Sequence, residues 1–196
     1  MNFTANKQIS LFDQKVTNKV SPKTDADPPR LDWVVEFSTE RLTNTTFSVG
    51  TAFSKTILGL LASREPRKYD SGDRVNLRND HMHRANSLNF HHVFPKAFLK
   101  KKGYEDWEAN RLVNISLVDD FLNKRQIGAK APSEYMESFW DDDHSEHILK
   151  THLIDAYWDE DSSERRAPIW TDDYDRFIEE RAKAIITRLK RKCINR

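Results

Sequence analysis

The chain has one cysteine, no excess charge of either sign and no long apolar run, and each shortage removes a class of protein. A single cysteine, Cys193, leaves no intrachain disulfide framework and no Cys-based zinc ribbon. It agrees with a reducing cytoplasm, the location expected from sequence. Lys plus Arg number 32 against 31 Asp plus Glu, a net charge of +1. Bulk charge therefore does not announce a nucleic-acid binder, and any such argument rests on where the basic residues cluster. No apolar stretch approaches the ~18 residues of a membrane span, and no signal peptide is legible. A Gly-rich phosphate loop is also missing, so the chain itself shows no nucleotide-hydrolysing domain. What remains is 37% apolar with five Trp and eleven Phe, enough for one core and against global disorder. A length of 196 residues fits one domain of ordinary size and a tail.

Residues 1–30 are polar and end in a Pro-rich stretch, which reads as a tail or linker with one short docked piece, Ile9–Phe12. The expected domain is 31–196. Phe53, Ile57, Leu60 and Leu61 recur at helical spacing and are stopped by Pro66. A polar loop follows. Residues 88–94 read as a short strand ended by Pro95, and residues 96–111 as a connecting segment. The β-branched run "LVNISLV", 112–118, encloses Asn114 and reads as a second strand. Asp119 and Asp120 suit a helix start and Gly128 its stop, while Ser133 is the expected N-cap of the next helix. Further helices are expected over 145–158 and, most clearly, over 177–189, where an apolar stripe of period near 3.6 faces basic residues. The expected fold class is α+β, mostly helical, with one small two-stranded element in the middle.

The middle of the chain carries the chemistry. "NFHHVFPK", 89–96, sets His91 beside His92 at a strand end; a second strand carries Asn114, and a helix carries Asn123 near its start. Two adjacent histidines alone are better explained as exposed or capped polar residues at a strand end. The order strand–strand–helix with these four residues resembles the ββα-metal, or HNH (His-Me finger), nuclease motif. The stretches "HHVFPKAFLKKKGY", "NISLV", "NKRQIGAKAPSEY" and "GTAFSKTILGLLASREP" together resemble the C-terminal nuclease domain of GmrSD-like, type IV modification-dependent restriction enzymes. The resemblance covers roughly residues 45–190 and places a ββα-metal core at about 86–130.

It implies a metal-dependent DNA endonuclease, the cutting half of a phage-defence system. His92 would be the general base and Asn114 the residue that orients it, while His91 and Asn123 would hold one divalent cation. Phosphodiester hydrolysis asks for these types: a group that is neutral near pH 7 to take a proton from water, and positive charge beside the scissile phosphate. Relatives commonly carry Asp where His91 stands. An imidazole donor suits Mn²⁺, Ni²⁺ or Zn²⁺ at least as well as Mg²⁺, so Mg or Mn is expected with Ni or Zn admitted. Lys96, Lys124, Arg125 and Lys130 are expected on the DNA backbone, and Lys100–Lys102 and the terminal "RLKRK" as further basic surface or solvated face. The expected partners are DNA, double-stranded and in some form modified, and a nucleotide-hydrolysing sensor on another domain or subunit; no membrane is expected. The rival expectation is a DNA-binding or docking module of nuclease fold with little turnover. "DDDH", 141–144, reads as charge at a helix N-terminus, and His144, His147 and His152 carry little weight as a zinc set.

Overall fold

Thr51 opens the first long helix of the chain, accepting a hydrogen bond from the Ser54 N–H at 3.2 Å. In the computed structural model, which describes residues 19–20, 31–32, 38–77, 90–118, 127–140, 145–156, 158–159 and 164–194, the chain divides into two units, Met1–Phe37 and Ser38–Arg196. In the first, β1 (Lys19–Val20) pairs antiparallel with β2 (Leu31–Asp32). The sequence-based boundary at residue 30 falls inside this unit, because Leu31 and Asp32 pair back onto Val20 and Lys19. The expected docked piece at Ile9–Phe12 lies outside the described residues.

The second unit begins with α1 (Thr39–Thr43) and α2 (Ala52–Ala62). Ile57, Leu58, Leu60 and Leu61 of α2 are buried, which confirms the helical spacing. The central hairpin follows, β3 (Phe90–His92) against β4 (Ile115–Leu117), antiparallel. Between its strands the expected connecting segment is helical: α3 (Lys96–Lys101) starts directly after Pro95, and α4 (Asp106–Ala109) is opened by a capping box of Glu105 and Glu108. A 3₁₀ turn, Leu112–Asn114, occupies the first half of the run expected as strand. The expected helix over 119–128 lies outside the described residues except for its end, where Gly128 adopts φ 56.

Beyond it come α5 (Pro132–Glu137) and α6 (Ser145–Thr151). The latter stops short of the expected 158, with Leu153 at φ 56 just after it. A short pair, β5 (Trp158–Asp159) and β6 (Glu164–Arg165), precedes α7 (Pro168–Thr171) and α8 (Tyr174–Ile194). Helix α8 carries the clearest periodicity in the sequence, and its stripe is the core: Phe177, Ile178, Ala182, Ile185, Ile186 and Leu189 are all buried. Each large apolar side chain so enclosed contributes about 1.5–3 kcal/mol. Helix α1 and the 3₁₀ turn pack on α8, α5 packs on α7, and α2 reaches β4. Phe94, in the turn after β3, stacks within 5.3 Å of Tyr174 and 4.8 Å of Phe177. The hairpin is thus fastened to α8 by the residue two places beyond the histidine pair. The fold class is α+β, with helices around a small antiparallel sheet.

Candidate active site

Register decides how the two histidines differ. Phe90 pairs with Leu117, His91 with Ser116 and His92 with Ile115. Side chains alternate across a strand, so His91 and His92 leave it on opposite faces. His91 goes inward and is only 2% exposed. Its ring meets the edge of Tyr135 from α5, with centroids 6.2 Å apart and planes at 78°. Tyr135 in turn donates to the Val93 carbonyl at 2.6 Å. Burial, with the Tyr69 hydroxyl adding to it, raises the Tyr135 pKa well above the ordinary phenol value, so the group stays a donor.

His92 is half-buried, on the same face of the strand as Phe90. Its Nε2 lies 3.0 Å from Asn110 Oδ1, and Asn110 Nδ2 donates to the Phe47 carbonyl at 3.1 Å. Burial pushes the His92 pKa below 6.5; the Asn110 contact opposes that shift and the Lys96 charge adds to it. The imidazole is therefore neutral at pH 7 and able to accept a proton.

Asn114 is fully buried and its amide is spent on backbone. Oδ1 accepts from Phe94 N–H at 2.8 Å, and Nδ2 donates to the carbonyls of Phe94 and Ala109, each at 2.9 Å. The Asn114 carbonyl also accepts from Val93 N–H at 2.9 Å. The side chain therefore reaches the turn that follows His92, while the side chain on the His92 ring is that of Asn110. Sequence reasoning passed over Asn110; the only signal available was a polar residue four positions before Asn114, on the turn closing α4.

Lys96, the first residue of α3, is exposed and near enough to His92 to act on its titration. Lys130 is exposed just beyond Gly128. Asn123, Lys124 and Arg125 lie outside the described residues, as does "DDDH" at 141–144 with His144. Lys102 rests over the Phe98 ring at 5.7 Å, and Lys192 in the terminal basic run donates to Ser63 Oγ at 3.1 Å. At least these two basic side chains also serve packing. Among the described residues, no group of three or more His, Cys, Asp or Glu comes together as a metal site.

Behind His91 lies a buried polar chain assembled from residues far apart in the sequence. Ser116, the cross-strand partner of His91, has its hydroxyl 2.7 Å from His152 Nδ1. His152 Nε2 is 2.7 Å from the Arg67 carbonyl, and Tyr69 donates to Ser116 Oγ at 3.3 Å. A carbonyl only accepts, so Nε2 carries the hydrogen and Nδ1 accepts from Ser116. Burial lowers the His152 pKa to about 4, against the Arg67 bond that raises it and with Arg181 lowering it further. Both ring nitrogens are engaged, so His152 is no zinc ligand. A serine beside a histidine also suggests a nucleophile and its base, but Ser116 is 0% exposed and out of a substrate's reach. His147 is exposed on α6, apart from this chain of bonds.

Comparison with known proteins adds a distant similarity. No family model matches the chain, and no solved structure matches it. The chain is 26% identical over 158 residues to Uncharacterized protein MJ0686 of Methanocaldococcus jannaschii, a match covering 72% of this chain and 26% of that protein. The chain thus spans about a quarter of the length of this relative.

Proposed function

We propose that the chain is a metal-dependent DNA endonuclease of the ββα-metal (HNH) kind, the nuclease part of a modification-dependent restriction system. The observation that carries this reading is the hairpin: His91 and His92 stand at the end of one strand, and Asn114, opening the other, holds the turn just beyond them. In this reading the neutral His92 takes a proton from the attacking water. Asn114 acts on it through the backbone, by fixing Val93 and Phe94 where the strand turns away. Lys96 offers a positive charge beside His92 for a phosphate of the substrate strand, a contact that positions DNA without reading its sequence.

The donor chemistry suits a divalent cation. His91 and Asn123 would hold it. When bound, the cation would polarise the scissile phosphate and stabilise the leaving oxygen. An imidazole from His91 favours Mn²⁺, Ni²⁺ or Zn²⁺ over a site built of oxygen alone. The sensor that would license cutting belongs, in this reading, to a separate domain or subunit.

The test is cleavage of unmodified, glucosylated and phosphorothioated plasmid in Mg²⁺ and in Mn²⁺. Wild type should nick at least one of these, and His92→Ala should lose about 10²-fold or more in rate while its fold stays intact. Cleavage unchanged in His92→Ala would sink the assignment. A wild type that binds DNA but cuts nothing in any metal would favour a binding module instead.

A further inference from the structure

We infer that Asn110 is the positioning residue of the histidine base: it holds His92 as the Nε2–H tautomer and leaves Nδ1 as the atom that accepts the proton. The catalytic half of this inference rests on the nuclease reading; the tautomer half rests on geometry alone.

An amide can face a histidine with either its oxygen or its nitrogen, and the two choices give opposite tautomers. Here the choice is made by Phe47. Asn110 Nδ2 lies 3.1 Å from the Phe47 carbonyl, so that end must be the NH₂ group. Turning the amide over would set two acceptor oxygens against each other. The end facing His92 is therefore Oδ1, 3.0 Å from Nε2. An amide oxygen only accepts, so Nε2 carries the hydrogen. A neutral imidazole has one N–H, and the lone pair is left on Nδ1.

Asn110 is itself fixed in place. Its carbonyl accepts from Phe47 N–H at 2.7 Å, its N–H donates to the Asp106 carbonyl at 3.1 Å, and Leu112 N–H donates to Thr45 at 2.7 Å. Thr46 bridges Arg111 in the same antiparallel sense. Residues 45–47 therefore form a brace along 110–112, and the amide leaves that brace with little freedom. One short stretch, 109–114, thus grips both parts of the hairpin's end: Asn110 takes the His92 ring, and Asn114, its amide also held by the Ala109 carbonyl, takes the turn after it.

Imidazole-¹⁵N-labelled protein read by long-range ¹H–¹⁵N correlation decides the matter, with His92→Gln identifying the His92 signals. Wild type should show His92 with Nε2 protonated and Nδ1 bare. Asn110→Leu, which keeps the size of the side chain but offers no acceptor, should lose that tautomer preference. In cleavage, Asn110→Leu should lower kcat about 10–100-fold with KM unchanged. Should Asn110→Leu fail to fold, Asn110→Ala carries the same expectation. An Nδ1–H tautomer in wild type, or the same tautomer and the same kcat in Asn110→Leu or Asn110→Ala, would overturn the inference. Absence of cleavage by wild type overturns the nuclease reading and the catalytic half with it, whereas the tautomer signal still decides what Asn110 does to His92.

Discussion

Asn114 has three hydrogen bonds from one buried amide, all to main-chain groups of Phe94 and Ala109. Replacing it with Ala would leave one N–H and two carbonyls in a dry site, each unsatisfied group costing about 1–3 kcal/mol. These costs overlap, because part of the turn can relax. We expect Asn114→Ala to lose about 3 kcal/mol in urea denaturation and to cut DNA more slowly, since the turn beyond His92 is no longer held. Asn114→Asp should be no more stable than Asn114→Ala, because it keeps the acceptor for Phe94 N–H but sets a buried carboxylate oxygen against two carbonyls. Equal stability in Asn114→Ala and wild type would show that the buried amide is not what holds the turn. The sequence picks out Asn114 because a polar residue inside a β-branched run needs a reason. It gives no comparable hint for Asn110, whose role depends on the loop carrying Phe47 being folded against it.

At the scale of the element, α5 shows how a local rule can point to the right helix and the wrong cap. The sequence predicts Ser133 as N-cap. In the structure Ala131 is the cap, Pro132 takes the first helical position, and Ser133 lies inside the helix. Its N–H is instead capped by Asp172, which accepts from Ser133 N at 2.9 Å on Oδ1 and from Ser133 Oγ at 2.7 Å on Oδ2. Asp172 ends α7 in the left-handed conformation, φ 53, so one residue stops one helix and starts another. We predict that Asp172→Ala costs about 1–2 kcal/mol, measured as a lowered urea midpoint, and that Asp172→Asn costs much less. An unchanged midpoint for Asp172→Ala would remove the shared cap. The helices between the strands of the hairpin were missed for a related reason: each is under two turns long, too short for periodicity to register.

For the whole molecule, the buried chain of Tyr69, Ser116, His152 and Arg181 joins the 66–75 loop, the hairpin, the end of α6 and α8. Arg181 Nε and Nη2 donate to the His152 carbonyl at 3.3 and 3.0 Å, and Nη1 donates to the Val113 carbonyl. Burial lowers the Arg181 pKa to about 10, which leaves it charged at neutral pH. His152 titrates the other way round from a paired histidine. Its folded pKa, about 4, lies below the ordinary 6.5, so between these values the unfolded chain binds a proton that the folded chain refuses. Its contribution is complete above about pH 6.5 and lost as pH falls toward 4. At 1.36 kcal/mol per unit, that is on the order of 2 kcal/mol by about pH 5. Urea unfolding of wild type and His152→Gln at about pH 7 and pH 5 should show a steeper loss in wild type by that amount. Parallel losses would mean that His152 is not excluded from protonation by the fold.

The sequence by itself determined the elements whose signal is local or periodic. These are the stripe of α8, the spacing of α2, the strand around His91 and His92, and the polar Asn114 inside an apolar run. A stripe is legible because helical geometry brings positions three and four apart to one face wherever the helix is placed. Only the tertiary structure decided which histidine is enclosed and which is half-open, that Asn110 rather than Asn114 meets the His92 ring, and that Asp172 caps α5. It also decided that Ser116 and His152, 36 positions apart, share a hydrogen bond. Those pairings are contacts between residues distant in the chain, and hydrogen bonding depends on angstrom-scale placement that no spacing in the sequence encodes.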